Sequence, residues 1–231
     1  FNKEYPDDYN SYTIFEHYCS VPNLNLSYKF NLFFSKKENE HGDGRCDLIE
    51  MDLTNKTVLD LGCFEGGHTY QFEKKNAIVT GIESNTHLFL KCLINKNTLN
   101  MKSKFLLGDI NKYMTQYMKT WEQYDLVWCC GILYHLTNPV ECLYLISKIS
   151  KSFYIWTLYV SKNDENVWDK DSKIKMSFKN KEYIGYKYVY PYRYDRDYAG
   201  ANTYCIRITL ETIVKFCEEF GFSVKKLKCP K

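Results

Sequence analysis

From Asn55 onward, short apolar runs alternate with stretches of helical spacing. TVLDLG (57–62) is apolar without alternation, the mark of a strand buried on both faces, and a polar helical stretch follows to about Lys75. AIVTGIE (77–83) reads as a second such strand, and residues 85–99 carry Leu88, Leu90, Leu93 and Ile94 at helical spacing. SKFLLGD (103–109) is a third strand, 111–120 a short helix, YDLVWCCG (124–131) a fourth strand, 139–150 a helix entered at Pro139, and SFYIWTLY (152–159) a fifth strand. A last helix is expected over 209–220, followed by a sixth strand, FSVKKLK (222–228). Strands alternating with helices imply an α/β, doubly wound, mostly parallel sheet that binds its ligand at the carboxyl ends of the strands.

Two regions lie outside that alternation. Residues 1–44 are aromatic and polar, end in the loop KKENEHGDG (36–44), and are expected to form a cap or lid beside a main domain over 45–231. Residues 160–206 form a Tyr-rich insertion after strand five, in which Tyr186, Tyr188, Tyr190, Tyr192 and Tyr194 recur at period two. On a strand that period puts them on one face. Such a row suits stacking on sugar rings or bases, or else it is a half-buried hairpin covering the sheet edge.

Length and composition narrow the picture. A chain of 231 residues suits one α/β domain with a modest insertion. Its formal charge of +3 makes no electrostatic case for a nucleic-acid partner, and Lys and Arg read as spread rather than clustered. No apolar run approaches the roughly 18 residues of a membrane span. Ten cysteines without CxxC spacing, several inside apolar segments, read as buried thiols in a reducing cytoplasm. No zinc site is indicated, and His17, His41 and His87 show no metal-ligand spacing. His68, which opens the first helix, reads as a solvated side chain, and Asp125, at the amino end of strand four, as structural.

The chemistry gathers at the strand ends. Strand one runs into Asp60, Leu61, Gly62, Cys63, Phe64, Glu65, Gly66 and Gly67, without the GK[ST] of a phosphate loop. A dinucleotide fingerprint would place a glycine where Phe64 stands. Glu83, at the end of strand two, can accept two hydrogen bonds from the cis hydroxyls of a ribose, and Asp109, after strand three, can meet an adenine amino group.

In this order VLDLGCFEGG, GIES, LLGDI and YDLVWCCGILYHL resemble the class I S-adenosylmethionine-dependent methyltransferases over about residues 45–160. The resemblance implies a Rossmann-like fold with S-adenosylmethionine as cofactor. It implies that Asp60, Gly62 and Gly66, with Phe64 and Glu65 on the same loop, hold the methionine part. Glu83 with Ser84 would hold the ribose, and Asp109 with Ile110 would lie at the adenine. Cys130 would border the cofactor at the end of strand four. Phe64 replaces the family's middle glycine. A cofactor without phosphate tolerates a side chain there, since no backbone amide has to approach a pyrophosphate.

Methyl transfer to an alcohol needs a proton acceptor. His135, in the turn after strand four, is the candidate base; the alternative is a histidine that only holds the turn. Tyr134 beside it is expected to line the acceptor site, together with Tyr192, Arg193, Arg196 and Asn202 of the insertion. CGILYHL and YAGANTYCIRIT are similar to two subgroups: sugar O-methyltransferases of bacterial surface-polysaccharide synthesis and transfer-RNA wobble-uridine carboxymethyltransferases. A small-molecule or glycan acceptor is preferred over RNA, and a non-catalytic cofactor-binding scaffold is the third alternative.

Overall fold

The computed structural model describes residues 44–161, 170–190 and 202–225. Among them, one compact unit comprises 44–110 with Tyr124–Trp128, and a second comprises Asn111–Gln123 with 129–225.

In the first unit, strands β1 (Thr57–Leu61), β2 (Ile78–Glu83) and β3 (Lys104–Leu107) alternate with helices α1 (Gly67–Lys74) and α2 (Thr86–Thr98). β1 pairs in parallel with β2, β2 with β3, and β1 with β4 (Leu126–Cys130). The carboxyl ends of these four strands therefore share one sheet edge. The described five-stranded order is β3-β2-β1-β4-β5, with β5 at Phe153–Trp156. This mostly parallel, helix-flanked sheet is the architecture expected from the alternation.

Beneath α1, Phe72 meets Trp128 of β4 edge to face at 5.0 Å, both fully buried. Burial of each such side chain stabilises the fold by about 1.5–3 kcal/mol. At the amino ends of β1 and β4, the Thr57 amide and hydroxyl donate to Asp125 Oδ2 at 2.9 and 3.1 Å, and the Asp125 amide donates to Thr57 Oγ1 at 3.1 Å. Asp125 thus closes the amino-end edge of these strands.

Helix α2 starts at Asn85, whose side chain accepts from the His87 and Leu88 amides. Its orientation corrects the expectation drawn from apolar spacing. Leu88, Lys91, Cys92 and Asn95 are buried, while Leu90, Leu93 and Ile94 are exposed. The inward face is largely polar because its partners are the polar groups of the β1–α1 loop. Lys91 Nζ lies 3.1 Å from Glu65 Oε1, and both side chains are almost fully shielded from solvent. Their mutual attraction is what makes burying either charge tolerable.

In the second unit, α3 (Ile110–Tyr117) begins at the boundary and α4 (Pro139–Ile149) is capped by Asn138, which accepts from the Glu141 amide, with Pro139 in the first turn. Strands β6 (Lys173–Phe178), β7 (Lys181–Val189) and β8 (Tyr204–Ile208) form an antiparallel sheet in the order β6-β7-β8, and α5 (Leu210–Glu219) is capped by Thr209. The β6–β7 hairpin carries exposed Lys173, Lys175, Lys179, Lys181 and Lys187. Lysines that look spread along the sequence are thus gathered on one ribbon, although Lys175 pairs with Glu182 and Lys181 with Glu219.

The expected sixth strand is not formed over its described part, 222–225. Gly221, at φ 86°, ends α5, the Phe222 amide returns to Cys217 O at 2.9 Å, and the Phe222 ring packs on Phe153. The alternating pattern there reflects one anchored aromatic rather than a ladder. The eight described cysteines are all buried and none is in a disulfide. Among the described residues no helix is long and apolar enough to cross a membrane.

Removing one member of the Lys91–Glu65 pair leaves the other charge buried alone. Lys91→Met should destabilise the protein by about 3–5 kcal/mol in chemical denaturation, and the double variant Lys91→Met/Glu65→Leu should recover most of that loss.

Candidate functional site

The β1–α1 loop turns through three left-handed residues: Gly62 at φ 63°, Phe64 at φ 56° and Gly66 at φ 84°. For glycine this conformation costs little, whereas for Phe64 it costs roughly 1–2 kcal/mol. The neighbouring βα unit supplies what holds it. The Phe64 amide donates to Glu83 Oε2 at 3.0 Å, and the Phe64 carbonyl accepts from Cys92 Sγ at 2.9 Å. Asn95 Nδ2 donates to the Glu65 carbonyl at 2.7 Å, the Cys63 amide to Ile82 O at 3.0 Å, and the Gly66 amide to Cys63 O at 2.8 Å. At Gly66 a side chain is also excluded sterically, since a Cβ would lie 2.9 Å from the Phe105 ring.

Two buried carboxylates sit at this edge. Asp60 accepts from Thr69 Oγ1 at 2.7 Å; burial pushes its carboxyl above the usual range, opposed by His68 and the bonds from Thr69. Glu83 accepts from the Asn85 amide at Oε1, 2.8 Å, and from the Phe64 amide at Oε2. Burial raises the Glu83 carboxyl too; the amides of Asn85, Phe64 and Ser84 draw it down, and the Asp60 charge adds to the rise. Each Glu83 oxygen has accepted one of these amides and retains further acceptor capacity, enough for a pair of hydroxyls. The acceptor-rich edge favours a cationic ligand bearing hydroxyls and disfavours a phosphate. The nearby buried cation, Lys91, is already engaged by Glu65.

Asp60, Gly62, Phe64, Gly66 and Glu83 are thus gathered in the first unit. Glu65 is on the same loop, but its carboxylate is turned into α2 toward Lys91, so its side chain serves the loop. Ser84 and Asp109 are exposed beyond β2 and β3, and Ile110 is buried at the start of α3. Reading the sequence missed Thr69, Lys91, Cys92 and Asn95. A lysine and an asparagine at the i+3 and i+7 positions from Leu88 were the available signal.

The second unit holds the remaining candidates. Cys130 is buried at the end of β4, and the next amide, Gly131 at φ 79°, donates to Trp156 O at 2.9 Å. Leu133–His135 form one 3-10 turn. The Tyr134 and His135 ring centroids are 4.2 Å apart, and His135 Nδ1 lies 2.9 Å from the Tyr190 hydroxyl. Asn202 is exposed, while Tyr192, Arg193 and Arg196 lie outside the described residues. Among the described residues no group of three His, Cys, Asp or Glu side chains is placed to hold a metal.

Parallel α/β topology with carboxylates at the strand ends is an arrangement able to hold a nucleoside. The chain belongs to the methyltransferase-domain family, whose model matches residues 52–196. It is similar to the tRNA U34 carboxymethyltransferase of Campylobacter hominis, with 28% identity over 120 residues, covering 50% of this chain and 40% of the relative. The corresponding Campylobacter concisus protein is 25% identical over 100 residues, covering 40% of this chain and 31% of the relative. The chain therefore spans less than half the length of these curated relatives. Among solved structures, the N-terminal domain of EvdMO1 with SAH bound aligns at a TM-score of 0.58 and 18% identity, over 72% of this chain and 65% of that one. That likeness is one of fold.

The raised carboxyls fix the sign of a pH dependence. Asp60 and Glu83 hold a proton more tightly folded than unfolded, so their contribution to stability falls as pH rises from their ordinary values, 3.8 and 4.5, through the raised folded ones. Asp60→Asn should gain stability relative to the unsubstituted protein across that window. Thermal unfolding of the two ligand-free proteins over a pH series measures the difference, and a gap independent of pH would contradict it.

Proposed function

We propose that this chain is the catalytic part of an S-adenosylmethionine-dependent methyltransferase acting on a sugar hydroxyl, nucleotide-linked or within a surface-polysaccharide precursor such as that of capsule or O-antigen. The observation that carries the cofactor reading is the buried carboxylate edge, with Glu83 offering acceptors for two hydroxyls beside a loop that admits Phe64. S-adenosylmethionine supplies a methyl group already activated on a positively charged sulfur. Asp60 and the 62–66 loop hold the amino-acid end, Glu83 the ribose hydroxyls, and Asp109 the adenine. Ser84, Ile110 and Cys130 border these contacts.

The protein's remaining tasks are alignment and removal of a proton. An alcohol is too weakly acidic to lose its proton unaided near neutral pH. His135 is the residue that would take the acceptor's O–H proton, a contribution of typically 10²–10⁴-fold, while the methyl group would leave the sulfonium for the acceptor oxygen and the sulfur would depart as a neutral thioether. Tyr134 offers a flat face with a hydroxyl handle, which suits a sugar ring. The buried cysteines, none in a disulfide, fit a reducing cytoplasm.

A second reading, modification of a transfer-RNA wobble uridine, is favoured by the curated relatives and by the lysines of the β6–β7 hairpin.

Calorimetry with S-adenosylmethionine tests the cofactor. Glu83→Ala should weaken binding by at least about tenfold, the equivalent of a lost hydrogen bond to a charged group, and equal affinity would sink the assignment. Label transfer from S-adenosylmethionine into cell extract tests the acceptor. The labelled product should survive ribonuclease, and its digestion would establish the RNA reading instead.

A further inference from the structure

The Tyr190 hydroxyl is 2.9 Å from His135 Nδ1, with the two ring planes inclined by only 25°. The contact is braced on both sides. The Tyr190 amide donates to Thr203 O at 3.0 Å, continuing the β7–β8 ladder, and the Ile206 amide of β8 donates to Leu136 O at 2.9 Å, one residue after His135. The Tyr134 ring packs on the imidazole from within the turn. The hairpin therefore holds both the turn and the ring.

We infer that Tyr190 is the positioning residue of His135: its hydroxyl accepts the Nδ1–H and so leaves Nε2 as the unprotonated, proton-accepting nitrogen. A neutral imidazole carries one proton, and a partner on one nitrogen decides the state of the other. Tyr190 has a place for its own proton, since its side chain is also bonded to Cys205. Burial and the Cys205 contact push the phenol well above its ordinary range, against Arg207 nearby, so the hydroxyl stays neutral. The resulting chain runs from Nδ1–H to the phenol oxygen and from the phenol O–H to Cys205 Sγ. When Nε2 takes up a proton, the Nδ1–H bond is already made and no group has to turn. The inference rests on His135 being the base.

Long-range proton–nitrogen NMR of histidine-labelled, ligand-free protein, above the pH at which His135 titrates, reads the tautomer directly. The expected spectrum has protonated Nδ1 and bare Nε2. In Tyr190→Phe the population should shift toward Nε2–H, and kcat should fall roughly 10–100-fold, as on loss of an orienting partner, with KM for S-adenosylmethionine within about twofold. Nε2–H already in the unsubstituted protein, or a tautomer unmoved by Tyr190→Phe, overturns the inference without need of any rate. A full rate in His135→Ala with the expected tautomer overturns the base and leaves the Tyr190 assignment supported.

Discussion

The site depends on the buried ion pair between Lys91 and Glu65. A lysine and a glutamate are poor choices for a helix–loop contact, because each loses its water. Once paired they draw the face of α2 against the β1–α1 loop, where Cys92 and Asn95 reach the Phe64 and Glu65 carbonyls. The turn through Phe64 then has its polar groups met from a different segment of chain. A loop held this way can carry a phenylalanine in a left-handed conformation, which local preference alone disfavours.

That arrangement also sets the electrostatics. With Lys91 engaged, the buried charged groups toward the strand ends are the carboxyls of Asp60 and Glu83. Burial makes ionising either one costly, and for Glu83 the neighbouring Asp60 charge adds to that cost. A positively charged ligand relieves that cost, and an anion adds to it. Selectivity between a sulfonium and a phosphate thus follows from the sign of the charge the fold buries at this edge, before any shape complementarity is considered.

Much of this was legible in the sequence. Strands buried on both faces leave continuous apolar runs, so β1, β2 and β4 were placed within a residue or two, and Glu83 and Asp109 fell at the strand ends. Helix α2 was found but turned the wrong way, because Leu90, Leu93 and Ile94 mimic a core stripe while the actual inward face is chosen by a loop 30 residues earlier. Glu65 was read toward the ligand for the same reason: its partner is distant in sequence. FSVKKLK alternates as a strand would, yet Gly221 and the Phe222–Phe153 contact consume its beginning. Periodicity reports burial, and it cannot say whether the buried partner is a sheet, a loop or a single ring.

Glu83 does two things with one side chain: it braces the Phe64 amide and presents the acceptors at the ligand edge. Stability and affinity are therefore joined at this position. Any replacement of Glu83 that alters the edge also leaves the Phe64 amide without its acceptor and so loosens the loop. A change at this edge that keeps the loop intact therefore calls for a second substitution that meets the Phe64 amide, so the two positions are coupled rather than additive.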